Sequence, residues 1–438
     1  MKTKRGFAAF VLAALMLFTA ACGSGAGSGK DDGAAGQNQK PSEPVKLLFY
    51  SHYLNDFDNY FNNIIKGMTE KKFPHITIEF LMGLDKNPKL DELISSGVNP
   101  DIIYAAQSYA LVLRDNLKAV DDLAPYIKKV NLDLNKFEPS VMDGIKSYGT
   151  KGEIYALPFA MSPWALYYNK DIFNKFGVPY PKDSMTWDET IELAAKVTRQ
   201  DGGVQYKGIA LQLIDKMALQ LSLPYVDPKT EKAALDSDGW KKLFNQMKRV
   251  VSIPGVFEGA EDISLYSNGL EKRTVAMVTN NNKIPRYLEE EKNGLNWDLT
   301  TFPSYPEQMN VYPSVEANSL ILNVASKHKD EAFKVIEYLV SDEVQLALAK
   351  SLQMSALKGE QFTKAFGENY PALKTKNLQG MFKGRPAPLK PTTIYDDLGL
   401  KAARDAYKEV TVNNKDINTA LREANEKLNQ AIAAEKAK

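Results

Sequence analysis

Short apolar segments near the start of the chain alternate between the periods of strands and helices, and this alternation constrains the fold most. Val45–Tyr50 (VKLLFY) is typical of a buried strand, and apolar residues recur at helical spacing over 56–72. Residues 76–80 alternate as in a strand, a second helical face ends at Gly97, and Asp101–Ala105 (DIIYA) is again strand-like. Because strands joined by crossover helices pair in parallel, the sequence predicts an α/β fold.

The amino terminus has the layout of an export signal. Three basic residues among the first five precede an uncharged apolar run, Gly6–Ala21, which is shorter than the roughly 20 residues of a membrane-spanning helix. Small residues then lead to Cys22, the only cysteine, so the segment resembles a bacterial lipoprotein signal whose thiol receives a diacylglycerol. Thr19 departs from the leucine favoured three residues before that cysteine. A plain secretory signal with an incidental cysteine and an uncleaved anchor are the alternatives.

A tether is expected after this signal. We predict a signal peptide over 1–21 and a flexible linker over 22–44, because residues 23–44 contain no aromatic residue and no aliphatic one larger than alanine. Such a linker spans about 25 Å, at roughly 5–6 Å × √n. It would hold an exported protein at the outer face of the cytoplasmic membrane, which suits a Gram-positive cell with no outer membrane.

Length and charge limit the class of protein to which this chain can belong. About 394 residues follow the linker, which is too many for one compact core and suits two lobes. Loss of the three basic residues of the signal takes the net charge from +1 to −2. A near-neutral chain with no basic block argues against nucleic acid as a partner. With a single cysteine, no disulfide can form within the chain, so its core must stabilise it.

Several helix boundaries are marked by local signals. Thr186 and Glu189 have the spacing of a capping box, and Gly177 follows a helical stretch as a stop signal. Ser341, followed by two acidic residues, is expected to start another helix. Residues 416–435 are amphipathic and predict a C-terminal helix.

A series of short motifs occurs along the chain in a characteristic order. These are Tyr155-Ala156-Leu157-Pro158, Leu166-Tyr167-Tyr168-Asn169-Lys170, Gly177-Val178-Pro179, Thr186-Trp187-Asp188-Glu189, the strand motifs 100–104, 274–280 and 297–303, and the strand and helices of 319–345. Together they resemble family 1 extracellular solute-binding proteins, the receptors of bacterial sugar-import ABC transporters. The resemblance covers Val45 to about residue 350.

The resemblance implies a periplasmic-binding-protein-like type II fold, with two lobes, a hinge and an interlobe ligand cleft. The expected lobes are 45–160 plus 302–355 and 161–301 plus 356–438. The crossings between them are expected near Ala160–Pro163, Thr301–Tyr305 and Leu352–Lys358. Ligands of α/β sheets bind beyond the carboxyl ends of strands.

Residues at those strand ends are the candidate ligand contacts. A sugar requires an aromatic face for its C–H surface and amides or carboxylates for its hydroxyls. The candidates are Ser51, His52, Tyr53, Gln107, Trp164, Asn280, Asn281, Asn282, Glu316 and Asn318.

Structural roles remain open for several of these residues. Trp164 and His52 are equally compatible with packing, and Asn280–Asn282 with a polar turn. Where glucan-binding members of the family have a stacking tryptophan, this chain has Asn281–Arg286. Lys283 and Arg286 in that segment suggest either a uronic acid ligand or solvated helix charges.

The sequence favours a receptor over an enzyme. The three histidines are far apart, and the chain has no phosphate-binding glycine loop and no G-x-S-x-G motif. We therefore expect no catalytic residue, no metal and no cofactor, and a monomer that binds a carbohydrate and meets the permease subunits of an ABC importer. A receptor of the same fold for a peptide, a polyamine or a metal complex is the alternative, and a structural surface lipoprotein is a third hypothesis.

Overall fold

The computed structural model describes residues 43–52, 60–82, 89–257, 259 and 269–437. The predicted signal peptide with Cys22, nearly all of the linker and Tyr53 lie outside the described residues. Within the described part of the chain, no helix is long and apolar enough to span a bilayer.

The strands and helices alternate along most of the described chain. The strands are β1 (Val45–Ser51), β2 (Ile76–Met82), β3 (Ile102–Ala106), β4 (Leu157–Met161), β5 (Ala165–Asn169), β6 (Arg199–Asp201), β7 (Val204–Tyr206), β8 (Met277–Asn280), β9 (Trp297–Thr301), β10 (Val311–Tyr312), β11 (Asn318–Leu322), β12 (Met354–Ser355) and β13 (Arg385–Pro386). The α-helices are α1 (Gly67–Lys72), α2 (Leu90–Ser95), α3 (Tyr109–Val112), α4 (Ala124–Val130), α5 (Pro139–Lys146), α6 (Lys170–Phe176), α7 (Trp187–Val197), α8 (Ile214–Ala218), α9 (Asp238–Val251), α10 (Ile284–Lys292), α11 (Lys329–Leu339), α12 (Asp342–Lys350), α13 (Glu360–Ala365), α14 (Asp396–Thr411) and α15 (Ile417–Lys436).

The larger sheet has the strand order β12-β4-β11-β3-β1-β2. β1 pairs in parallel with both β2 and β3, which confirms the prediction from the first hundred residues. β11 is antiparallel to β3 and β4, so the sheet as a whole is mixed. The predicted helix over 56–72 is described from residue 60 onward, as a π-helical turn at Phe61–Lys66 followed by α1.

The smaller sheet has the order β8-β5-β9, with β5 antiparallel to both neighbours. Residues 207–210 add a parallel partner to β8 through bridges at Lys207 and Ala210. Tyr167 packs into a buried cluster on one face of β5, together with Tyr287 and Trp297. Large buried rings contribute strongly to apolar burial, so this cluster helps to stabilise the short sheet.

The chain passes between the two sheets at residues 162–164 and again between β9 and β11. A third passage follows β12, because Phe366, Leu373 and Met381 then pack into the cluster that contains Tyr167. In the second passage, the Gln220 amide donates to the carbonyls of Pro303 and Val311, both at 2.7 Å, and the Ser314 N–H donates to the carbonyl of Leu219 at 3.2 Å. These bonds join the second passage to the segment around Gln220, and the lobe boundaries stay a prediction.

Of the two predicted helix starts, one has a side-chain cap and the other does not. Thr186 Oγ1 accepts from the Glu189 N–H at 3.2 Å and the Glu189 carboxylate accepts from the Thr186 N–H at 2.7 Å, which confirms the capping box. α12 begins after Ser341 as predicted, but the Ser341 hydroxyl makes no capping bond and is buried without a partner in the described structure.

Candidate functional site

Two strand edges lie next to each other where β4 leads into β5. Only residues 162–164 separate these strands, so Met161 and Ala165 are at most about 14 Å apart at 3.6 Å per residue. Ala106 at the end of β3 is opposite Asn318 in the larger sheet, and Asn280 at the end of β8 is opposite Ala165 in the smaller one. The candidate residues at these strand ends therefore face one region of the molecule.

The end of β1 carries a pair of rings. Ser51 is buried, whereas His52 is exposed and its ring centroid lies 4.6 Å from that of Tyr109, with the planes inclined by 34°. The His52 N–H donates to the carbonyl of Tyr104 at 2.9 Å, which fixes its backbone beside β3. Desolvation by the surrounding protein lowers the pKa of the His52 imidazole, which favours its neutral form.

The end of β3 is tied to the segment that leads into β11. Gln107 is buried, and its Oε1 accepts from the Ala317 N–H at 3.1 Å while its Nε2 donates to the Tyr148 hydroxyl at 3.5 Å. Ser108 Oγ donates to a carboxylate oxygen of exposed Glu316 at 2.8 Å. The Gln107 side chain is thus used for hydrogen bonds within the protein, whereas the Glu316 side chain is accessible.

The three asparagines after β8 have different environments. Asn280 is buried and its Oδ1 accepts from the Asn281 N–H at 2.9 Å. Asn282 donates to the carbonyl of Leu352 at 2.7 Å and accepts from the Ile284 N–H at 3.3 Å, so it starts α10 and holds the chain near its third passage. Asn281 is half-buried, and its side-chain amide makes no hydrogen bond with described residues. Of the three asparagines, it therefore has the amide that is most available to a ligand.

Trp164 packs inside the protein in this arrangement. It is 6% exposed and meets Phe302 edge-to-face at 6.0 Å, and Phe302 in turn meets Trp187 at 5.6 Å. The other tryptophans, Trp187, Trp240 and Trp297, are fully buried, as expected of core residues. The indole of Trp164 is used for packing here, and its contact with a ligand stays a prediction.

The sequence did not indicate that one further segment would lie at this site. The strap, which we define as residues 385–391, is anchored beside the smaller sheet because Ser222 Oγ donates to the carbonyl of Pro388 at 2.6 Å. Leu389 of the strap reaches the larger sheet's side of the molecule. A Cβ added to Gly144 on α5 would lie 2.2 Å from Leu389 Cδ1 and 2.7 Å from Gln107 Nε2. Its proline-rich sequence predicts an irregular segment but not this contact.

Gln212 is a second residue that the sequence did not single out. It is 3% exposed, lies two residues beyond Ala210, and makes no side-chain hydrogen bond with described residues. Since Ala210 is opposite Val278 in parallel pairing, Gln212 follows the same sheet edge as Asn280. Its only available signal was a polar residue at the end of the apolar run 209–211.

Residues 53–346 match the family model described as bacterial extracellular solute-binding protein, which spans more than half of the chain. The chain belongs to this family. A binding protein of Brucella abortus is 28% identical over 295 residues, covering 64% of this solute-binding protein and 68% of the relative. The sn-glycerol-3-phosphate-binding periplasmic protein UgpB of Rhizobium meliloti is 25% identical over 318 residues, covering 67% and 72%.

Solved structures establish the fold of this solute-binding protein. An ABC substrate-binding protein of Listeria monocytogenes in complex with cycloalternan superposes with a TM-score of 0.71 at 16% identity, covering 89% of this chain and 100% of that one. CpMnBP1 with mannobiose bound gives a TM-score of 0.67 at 19% identity, covering 88% and 100%. The predicted two-lobed type II fold is therefore confirmed, and the family and these neighbours are binding proteins rather than enzymes.

Two basic side chains of this solute-binding protein that lie near the candidate residues are paired with acids. Arg286 lies 3.4 Å from Glu271 and 3.1 Å from Glu290, and both interpretations of Lys283 and Arg286 stay predictions. Lys390 of the strap pairs with Asp396. Among the described residues, no group of three or more His, Cys, Asp or Glu side chains is placed to hold a metal ion.

Proposed function

We propose that this protein is a lipid-anchored extracellular receptor that captures a carbohydrate, specifically an oligosaccharide, between its two sheets and delivers it to an ABC importer. The observation that carries the proposal is the meeting of two polar strand edges. One edge has the His52–Tyr109 ring pair and the Ser108–Glu316 pair, and the other has Asn281. Rings suit the C–H face of a sugar, and carboxylates and amides suit its hydroxyls.

The named ligands of similar proteins support a small polar solute. The structures with cycloalternan and with mannobiose bound share the fold of this chain. The Rhizobium meliloti relative is named for sn-glycerol-3-phosphate, so a non-sugar ligand remains the alternative. Peptides, polyamines and metal complexes belong to that alternative.

A saccharide panel tests the ligand class. Differential scanning fluorimetry with mono-, di- and oligosaccharides should raise Tm for at least one member, because a ligand that binds only the folded state adds about 2.7 kcal/mol at 100 times its Kd. Asn281→Ala should weaken the binding of that member about three- to tenfold by calorimetry, since one hydrogen bond is lost. Asn418→Ala, exposed on α15, should leave it unchanged.

Spermidine and a tripeptide library serve as the non-sugar arm of the same panel. A Tm rise with these probes and with no saccharide would replace the sugar function by the alternative.

The anchor and the location belong to the same proposal. Cys22 after a short apolar run and a polar linker support lipidation, a place at the outer face of the membrane of a Gram-positive cell, and contact with permease subunits. Mass spectrometry of the protein from a Gram-positive host should find an N-terminal Cys22 with a diacylglycerol. Cys22→Ser should release the protein into the medium; an unmodified Cys22 in the membrane fraction would contradict the anchor.

A further inference from the structure

The Glu316 carboxylate is accessible and unneutralised at the candidate site. It lies two residues before β11, is exposed, and accepts one hydrogen bond, from Ser108 Oγ at 2.8 Å. No described lysine, arginine or histidine pairs with it. A carboxylate has about four acceptor positions, so most of its hydrogen-bonding capacity is unused.

Tyr148, a titratable group that feels the charge of Glu316, does not cancel this charge. Burial and, secondarily, the Glu316 charge raise the pKa of the Tyr148 hydroxyl, so Tyr148 remains a neutral phenol. Nε2 of Gln107 donates to this hydroxyl, and the phenol proton is thus free to be donated elsewhere. A neutral donor beside a carboxylate matches the hydroxyl groups of a sugar.

Two basic side chains around Tyr225, one of them in the strap, are already engaged in ion pairs. Lys390 is mostly buried, pairs with Asp396, and lies 4.8 Å from the centroid of the Tyr225 ring. Arg404 pairs with Asp215 at 2.9 Å. An anionic ligand would have to break one of these two pairs to use Lys390 or Arg404 as its counter-ion, and leaving one partner of a buried pair alone is costly.

We propose that Glu316 makes the site select uncharged or amino sugars against uronic acids and sugar phosphates. This inference rests on the proposed sugar-binding function. The carboxylate accepts hydrogen bonds from hydroxyl or ammonium groups, whereas a second anion at the same place is repelled. Glu316 is in this sense a specificity-determining residue.

Matched disaccharides in which a hydroxymethyl group is replaced by a carboxylate test the selection. The probes are mannobiose, galactobiose and cellobiose, each with its uronic acid counterpart, titrated by calorimetry at low salt to limit screening. We expect a neutral member to bind at least tenfold more tightly than its uronic counterpart. Glu316→Gln, which keeps the shape and an acceptor for Ser108, should reduce that ratio at least threefold.

Glu192→Gln provides the matched control, because Glu192 is exposed on α7 and the same unit of charge is lost there. It should leave the ratio unchanged. Equal or tighter binding of a uronic acid by the natural protein, or an equal effect of both variants, would overturn the charge selection alone. If, instead, no saccharide of the fluorimetry panel raises Tm and all six probes fail to bind, the sugar function is overturned and this inference with it.

Discussion

Replacing Gln345 with leucine should lower the free energy of unfolding by about 3–5 kcal/mol. Gln345 is fully buried on α12, and its Nε2 donates to the carbonyls of Phe159 at 2.9 Å and Leu339 at 3.2 Å. Its Oε1 accepts from Ser355 Oγ at 2.8 Å and from the Ala356 N–H at 3.0 Å. Leucine fills a similar volume but leaves these buried groups without partners, and each such group costs about 1–3 kcal/mol.

The position of this amide explains why its loss matters beyond one helix. Phe159 lies in β4 just before the first passage between the sheets, and Ser355 lies in β12 at the third. One side chain therefore holds two of the connecting segments in register. Urea unfolding followed by circular dichroism measures the change. Gln430→Leu, exposed on α15, is the control and should change stability by less than about 0.5 kcal/mol. Equal midpoints for the two variants would refute a structural role for Gln345.

Replacing Gly144 with leucine should weaken ligand binding at least tenfold while the protein remains folded. A side chain at this position would occupy the space of Leu389, because the added Cβ atom would lie only 2.2 Å from Leu389 Cδ1. The strap would then be displaced from α5, and the two sides of the site would meet less closely. Leucine has a higher helix propensity than glycine, so the substitution does not weaken α5 through the backbone.

A double-mutant cycle separates steric displacement from other effects of Gly144→Leu. The Leu389→Ala change removes the clashing side chain, so binding in the double variant should recover part of the loss. Calorimetry with a saccharide identified in the panel measures affinity, and the prediction rests on the proposed function. Natural affinity in Gly144→Leu would show that the strap contact does not contribute to the bound arrangement.

Local patterns predicted the elements of this fold well. The capping box at Thr186 forms as expected, because every group in it lies within four residues. Ser341 shows the limit of the same reasoning: the helix starts where the acids indicate, yet the hydroxyl makes no capping hydrogen bond and is buried. Helix starts follow from local composition, whereas the rotamer of a capping side chain depends on what packs around it.

The candidate site was predicted only in part. Strand ends indicated Gln107, Asn282 and Glu316, but the structure uses the first two for internal hydrogen bonds and leaves the third accessible. The strap could not be anticipated, since Leu389 meets Gly144 only through the tertiary fold. Sequence patterns cannot distinguish one polar residue at a strand end from another. Their roles differ because distant segments of the chain form hydrogen bonds with some of these side chains and not with others.

The sequence by itself determined the order of strands and helices, the parallel start of the larger sheet and the membership of a solute-binding family. These follow from periodicity and short motifs, which are local properties of the chain. Only the tertiary structure decided which polar side chains are already satisfied within the protein. Gln107 bonds to Ala317, 210 residues away, while Glu316 next to that alanine keeps an accessible carboxylate. Hydrogen bonds across such distances depend on how the sheets pack, and no pattern within a short window encodes them.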